Sequence, residues 1–167
     1  DANGFGMARS KGTVSTAGYV PNILRWGREV GTNLAVSVIA ATDRKRSELM
    51  SINRRFPLDE LTDAIREYTR ITGRRVLCEY LLIDGFTDGF DDAKALAERF
   101  SGMDVTINLI PYNENPARPY RRPAVDRVEA FKRATIEAGL FTTVRWSHGG
   151  DIGAACGQLS ATREARS

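Results

Sequence analysis

Two hydrophobic periodicities alternate along this chain. Short, nearly continuous apolar runs of strand length are separated by longer stretches whose apolar residues recur every three to four positions. The first strand expected is Thr13-Val14-Ser15-Thr16, closed by Ala17-Gly18. A helix follows from Pro21 to Val30, with proline in its first turn, where the missing N–H costs nothing. Leu34 to Ala40 reads as a buried parallel strand, and Thr42-Asp43 as the cap of a short helix, Arg44 to Met50. In Leu58–Thr72 the residues Leu58, Leu61, Ala64, Ile65, Tyr68 and Ile71 share one helical face, and Gly73 stops the helix. Arg75 to Ile83 is the strongest strand. A helix over Asp91–Phe100, a strand over Val105–Ile110, a helix over Val125–Ala138 and a strand over Thr142–Trp146 complete the alternation. Gly149-Gly150-Asp151 opens one more short helix. This order predicts an α/β protein with a parallel sheet and covering helices, either doubly wound or a βα barrel.

Composition narrows the class. The 167 residues are 42% hydrophobic and 27% charged, enough for one packed domain or part of a larger one. No apolar run approaches the roughly 20 residues of a membrane helix. No basic and apolar leader is visible at Asp1–Gly6, so a reducing, cytoplasmic setting without a membrane is expected. Two cysteines and one histidine exclude a multi-histidine or all-cysteine metal site within the chain. The net charge of +3 permits an anionic partner without demanding one. P-loop, GxGxxG and HExxH signatures are absent.

In parallel βα folds, function gathers at the carboxyl ends of strands. That points to Ser15, Ser37, Asp84-Gly85, Asn113 and the turn from Gly149 to Cys156. Ser15 and Ser37 suit hydrogen bonding to a polar ligand, or else cap and fill the strand ends. Glu79, between apolar neighbours, is an interior functional acid or a paired structural one. Strand alternation places Cys78 on the opposite face, as an inert core residue. Cys156, flanked by Gly153 and Gly157, is a nucleophile or a structural thiol, with His148 eight residues away. Between Arg118 and Arg133, six cations stand against two carboxylates, a local charge of +4, with Tyr112 and Tyr120 nearby. Such a patch suits RNA phosphates and stacked bases, or is a solvated basic face.

Several strings, in order, carry a resemblance. They are Ser15-Thr16-Ala17-Gly18-Tyr19-Val20-Pro21, Leu34-Ala35-Val36-Ser37, Ile52-Asn53-Arg54-Arg55-Phe56-Pro57 and Glu79-Tyr80-Leu81-Leu82-Ile83-Asp84-Gly85. Asn108-Leu109-Ile110-Pro111-Tyr112-Asn113 and the stretch from Asp151 to Leu159 follow. Together they make the chain resemble the radical-SAM RNA adenine-C2 methyltransferases of the RlmN/Cfr class, from about Phe5 to Leu159. The resemblance implies the carboxyl-terminal half of a partial TIM-like (β/α) barrel over residues 1–160, followed by a tail at 161–167. It implies S-adenosylmethionine and a [4Fe-4S] cluster as cofactors, an external electron donor, and ribosomal RNA, with transfer RNA as a second substrate. By the same resemblance, Cys156 carries the methyl group as an S-methylcysteine intermediate. It also implies that Ser15, Ser37, Val38, Ile39 and Asn113 hold S-adenosylmethionine, while the basic patch itself makes Arg118, Arg121 and Arg122 the candidate RNA contacts.

The chain also departs from that pattern. Ile39 stands where the family's Ser-Leu-His stretch has histidine, leaving its backbone as the ligand contact. His148-Gly149-Gly150-Asp151 replaces Arg-Gly-Asp-Asp, and Ser51 replaces a proline. The Cys-x3-Cys-x2-Cys cluster motif and the Gly-Met-Gly-Glu-Pro string are missing. The expectation is therefore a fragment that performs no radical chemistry alone. The alternatives are a non-catalytic RNA-binding or structural remnant, and an unrelated βα enzyme using Cys156 and His148.

Overall fold

A computed structural model describes residues 12–146. Five parallel strands form one sheet: β1 (Thr13–Thr16), β2 (Asn33–Ile39), β3 (Val76–Leu82), β4 (Val105–Pro111) and β5 (Phe141–Val144). The helices α1 (Val20–Glu29), α2 (Asp43–Leu49), α3 (Leu58–Thr72), α4 (Phe90–Phe100) and α5 (Val125–Glu137) connect them. These elements fall within a residue or two of the periodicity reading. One element was not legible, a 3-10 turn at Ser51–Arg54 between α2 and α3. The helix expected after Gly149 lies outside the described residues.

Spatial strand order equals chain order, β1-β2-β3-β4-β5. This decides between the two architectures that the sequence allowed. A doubly wound sheet reverses direction at a switch point. Parallel crossovers are right-handed as a rule, and steps that all run in one direction then put the connecting helices on one face, as in a barrel wall.

Burial follows this geometry. On β3, Val76, Cys78, Tyr80 and Leu82 are fully buried, whereas Leu77, Glu79 and Leu81 are half-buried. The buried set joins Leu34, Val36 and Val38 of β2 and Ile107 and Leu109 of β4 in one apolar core. Ile23, Leu58, Leu61, Ile65, Tyr68, Leu96, Phe100, Val128 and Phe131 of the helices close over it. Tyr68 is buried because its hydroxyl has a partner, the Thr32 carbonyl at 2.6 Å. Gly73 ends α3 at φ 65°, the left-handed conformation that glycine adopts without a Cβ penalty. The other face of the sheet carries no helix among the described residues.

Candidate functional site

On the helix-free face, register aligns side chains from different strands. Ser37 pairs with Glu79, Glu79 with Asn108, and Asn108 with Thr143. These four polar residues form a row across β2 to β5. Ser37 Oγ donates to Glu79 Oε2 at 3.3 Å, and Thr143 Oγ1 donates to Asn108 Oδ1 at 3.1 Å. Ser15 of β1 pairs with Ala35, two residues before Ser37, and is exposed. Asn113 lies two residues beyond the end of β4, at the carboxyl rim of the sheet. The alternation puts Ser15 and Ser37 together. Asn108 and Thr143 went unnoticed in the sequence, although counting along the strands in phase with Glu79 would have found them.

Val38 and Ile39 contribute differently. Val38 is buried in the core on the helix side, so only its backbone can serve a ligand on the open face. At Ile39 the strand breaks register: Ser37 pairs with Glu79, but Ile39, not Val38, pairs with Tyr80. Ile39 has φ 70°, and the Ala40 N–H donates back to the Val38 carbonyl at 2.8 Å. This is a tight γ-turn in a region that β-branched residues avoid. It ends β2 abruptly at the functional rim.

Arg46 of α2 holds this rim. It is fully buried and has no carboxylate partner among the described residues. Its Nε donates to the Val38 carbonyl at 2.9 Å. Its Nη2 donates to the carbonyls of Ala17 and Ser37 at 2.9 and 3.1 Å. Its Nη1 reaches Asn53 Oδ1 at 2.8 Å and, more weakly, the Phe56 carbonyl at 3.4 Å. Burial lowers its pKa to about 10, partly opposed by Asp43. One guanidinium thus ties the ends of β1 and β2 to the 3-10 turn. Gly18, at φ 104°, leaves room for it: a Cβ there would lie 2.8 Å from Arg46 Nη2.

The basic patch divides in two. On α5, Arg127 is paired with the buried Asp88 at 3.2 Å and Lys132 lies 3.9 Å from Glu129. Arg118, Arg121 and Arg122 lie instead on the connection after β4. Arg122 stacks over Trp146 at 5.5 Å. Beside them, Tyr120 stacks on Phe86 at 5.7 Å and meets Tyr112 edge-on at 5.9 Å. Lys45 lies 5.7 Å over the Phe86 ring. The Tyr120 hydroxyl donates to Glu48, and burial together with that carboxylate raises its pKa. The roles of Phe86, Lys45 and Trp146 were not legible, because they come from three separate places in the chain: the loop after β3, α2 and the segment after β5.

Cys78 is buried on the helix side, and burial, aided by the Glu79 charge, pushes its thiol far above the usual range. It is an inert thiol, as strand alternation implied. Cys156 and His148 lie outside the described residues. Among the described residues, no group of three histidine, cysteine, aspartate or glutamate side chains could hold a metal ion. The chain's two cysteines fall short of a three-cysteine cluster site. No described helix is long and apolar enough to cross a membrane.

No protein-family model matches the chain. It is 48% identical over 149 residues to a dual-specificity RNA methyltransferase RlmN from Anaeromyxobacter sp., covering 89% of this chain and 40% of that protein. It is 45% identical over 161 residues to the protein of the same name from Syntrophobacter fumaroxidans, covering 96% of this chain and 47% of that one. Among solved structures, a radical SAM methyltransferase from Sphaerobacter thermophilus superposes with a TM-score of 0.82 at 48% identity. The match covers 87% of this chain and 43% of that one. A domain of the pyruvate-formate lyase-activating enzyme from Bacteroides vulgatus matches with a TM-score of 0.64 at 16% identity, a likeness of fold alone. The chain spans less than half the length of the curated relatives it matches.

Proposed function

The chain carries the carboxyl-terminal portion of an RlmN/Cfr-class sequence, and from that premise we propose that the complete protein methylates C2 of adenine in RNA. Its substrates are large-subunit ribosomal RNA and transfer RNA, met in the cytoplasm. The observation that carries this reading is the helix-free sheet face, where Ser15 stands beside the polar row that begins at Ser37, and Asn113 edges the rim.

The fit to S-adenosylmethionine is chemical. Ser15 and Asn113 make no side-chain hydrogen bond among the described residues, so their polar atoms are available to a ligand. The Ser37 hydroxyl and the backbone of Val38 and Ile39 lie on β2, the strand next to Ser15. Held there, S-adenosylmethionine supplies the methyl group, with its radical chemistry driven by a [4Fe-4S] cluster and an external electron donor. The described residues do not fit the cluster, so no step through it is assigned to this chain. The chain's own work is binding, orientation and, at Cys156, carriage of the methyl group. The expected division into a barrel part at 1–160 and a tail at 161–167 extends beyond the described residues 12–146.

RNA approaches at the carboxyl rim. Arg118, Arg121 and Arg122 meet phosphates, and Tyr112, Tyr120, Phe86 and Trp146 offer faces for bases. Reversing the charge of Arg121 and Arg122 weakens RNA binding and flattens its salt dependence. Unchanged affinity and slope would remove these residues from the interface.

The deciding experiment expresses the complete protein carrying this chain in cells that lack endogenous 2-methyladenosine. Ribosomal and transfer RNA are then digested and analysed by mass spectrometry. The expected result is 2-methyladenosine that disappears in Cys156→Ala, with one methyl on Cys156 in the unaltered protein. RNA without 2-methyladenosine, together with an unmodified Cys156, would overturn the reading in favour of a non-catalytic remnant.

A further inference from the structure

The hydrogen-bond polarity of the row across the open face specifies which ligand groups it can receive. Ser37 has one hydroxyl proton and spends it on Glu79 Oε2. Its oxygen then has only lone pairs to offer. Glu79, as a carboxylate, also only accepts. Its Oε1 makes no hydrogen bond, and no cation lies within ion-pair distance of it, among the described residues. A half-buried carboxylate beside an acceptor-only serine asks for a donor from outside. The next residue in the row differs. Asn108 Oδ1 is occupied by Thr143, which leaves the Asn108 amide N–H groups to donate.

We infer that Glu79 is itself a ligand-binding residue, accepting a hydrogen bond from a ribose hydroxyl of the bound nucleoside, with Ser37 Oγ accepting from the neighbouring hydroxyl. Ser37 Oγ, bonded to Oε2 at 3.3 Å, and the unoccupied Oε1 of the same carboxylate are neighbouring acceptors, which suits a vicinal diol. The charge on Glu79 strengthens the bond relative to a neutral acceptor. Asn108, one strand further on, faces an acceptor on the same ligand. A structural role for Glu79 would engage Oε1 with another side chain, and no described residue does so. This inference rests on the proposed function only in taking S-adenosylmethionine as the nucleoside. The ammonium of that molecule's amino-acid end is the competing donor, and the test separates the two.

The test is titration calorimetry on the complete protein carrying this chain. The probes are S-adenosylmethionine, its 2′-deoxy and 3′-deoxy analogues, and an analogue lacking the amino group. Glu79→Gln keeps the size and removes the charge. Its expected effect is about 10- to 100-fold weaker binding of S-adenosylmethionine, the range for a hydrogen bond to a charged group. The unaltered protein should lose a similar factor on removal of one ribose hydroxyl. Glu79→Gln should then bind that deoxy analogue with almost no further loss, while still losing affinity for the deaminated analogue.

Equal affinity of Glu79→Gln and the unaltered protein for S-adenosylmethionine would overturn the inference and leave the methylation reading standing. Coupling to the amino group rather than to a hydroxyl would overturn the ribose assignment. Equal losses for all analogues, with a lowered melting temperature, would mark Glu79 as structural. Failure of the unaltered protein to bind S-adenosylmethionine would instead overturn the proposed function, and this inference with it.

Discussion

Replacing Arg46 with methionine tests whether one buried guanidinium sets the functional rim. The substitution keeps an unbranched side chain of similar reach and removes every donor. Two effects oppose each other. Lowering the Arg46 pKa from its ordinary value to about 10 corresponds to a charge-burial cost of roughly 3 kcal/mol. That cost is relieved in the variant. Against it stand four hydrogen bonds of 3.1 Å or less, to Ala17, Ser37, Val38 and Asn53. Bonds from a charged donor contribute about 1.5–3 kcal/mol each. The Ala17 carbonyl and Asn53 Oδ1 have no other donor among the described residues. The lost bonds outweigh the relieved charge by about 3 kcal/mol or more, a large share of a typical domain's 5–15 kcal/mol. Equilibrium urea unfolding of the full chain is the assay. Arg46→Met should lower the midpoint without changing the slope. Arg46→Lys, which keeps the charge but not the fork, should fall between it and the unaltered chain. Affinity for S-adenosylmethionine in the complete protein should drop further in Arg46→Met than in Tyr68→Phe, because only Arg46 touches the ends of β1 and β2. A stability change within 0.5 kcal/mol, or a gain, would refute the reasoning: burial of the charge would then cost as much as its bonds return.

Other substitutions probe neighbouring claims. Gly18→Ala must carry a Cβ at φ 104° and 2.8 Å from Arg46 Nη2, so a loss of about 2–3 kcal/mol is expected in the same unfolding assay. Tyr68→Phe leaves the Thr32 carbonyl without its 2.6 Å partner and should cost about 1–2 kcal/mol, measured as a lower urea midpoint. Cys78 should resist alkylation until the chain unfolds, so its labelling rate should follow the unfolding rate. Its folded pKa is raised above the ordinary 9.0, so the folded state holds a proton that the unfolded state releases. The resulting stability is complete below pH 9 and declines above it by about 1.4 kcal/mol per pH unit. Cys78→Ala should lose that decline between pH 9 and 10, and a persistent slope would assign it to another group.

Much of the architecture could be read from local pattern. Leu58–Thr72 announced itself by an apolar face and a terminal glycine, and both appear where expected. Strand alternation alone separated Cys78 from Glu79, because successive side chains point to opposite faces whatever the sheet's partners are. The 3-10 turn at Ser51–Arg54 and the γ-turn at Ile39 were not readable. Neither is a local preference: an isoleucine at φ 70° persists only because the surrounding contacts over-determine it.

The candidate site divides along the same line. The sequence by itself determined the element order, the core faces and the identities of Ser15, Ser37 and Asn113 as polar groups near strand ends. It also carried the RlmN/Cfr resemblance. The element pattern left doubly wound and barrel-like winding open, since both are built from the same βα units, and only the resemblance pointed to the barrel. Only the sheet order of the folded chain settled that choice and left one face free of helices. Register between strands is likewise a tertiary property, decided by how separate segments pack. It drew Asn108 and Thr143 into line with Ser37 and Glu79, and it let a single arginine from α2 close the ends of two strands. The hydrogen-bond polarity of that row follows from side chains up to 42 residues apart, so no reading along one segment can reveal it.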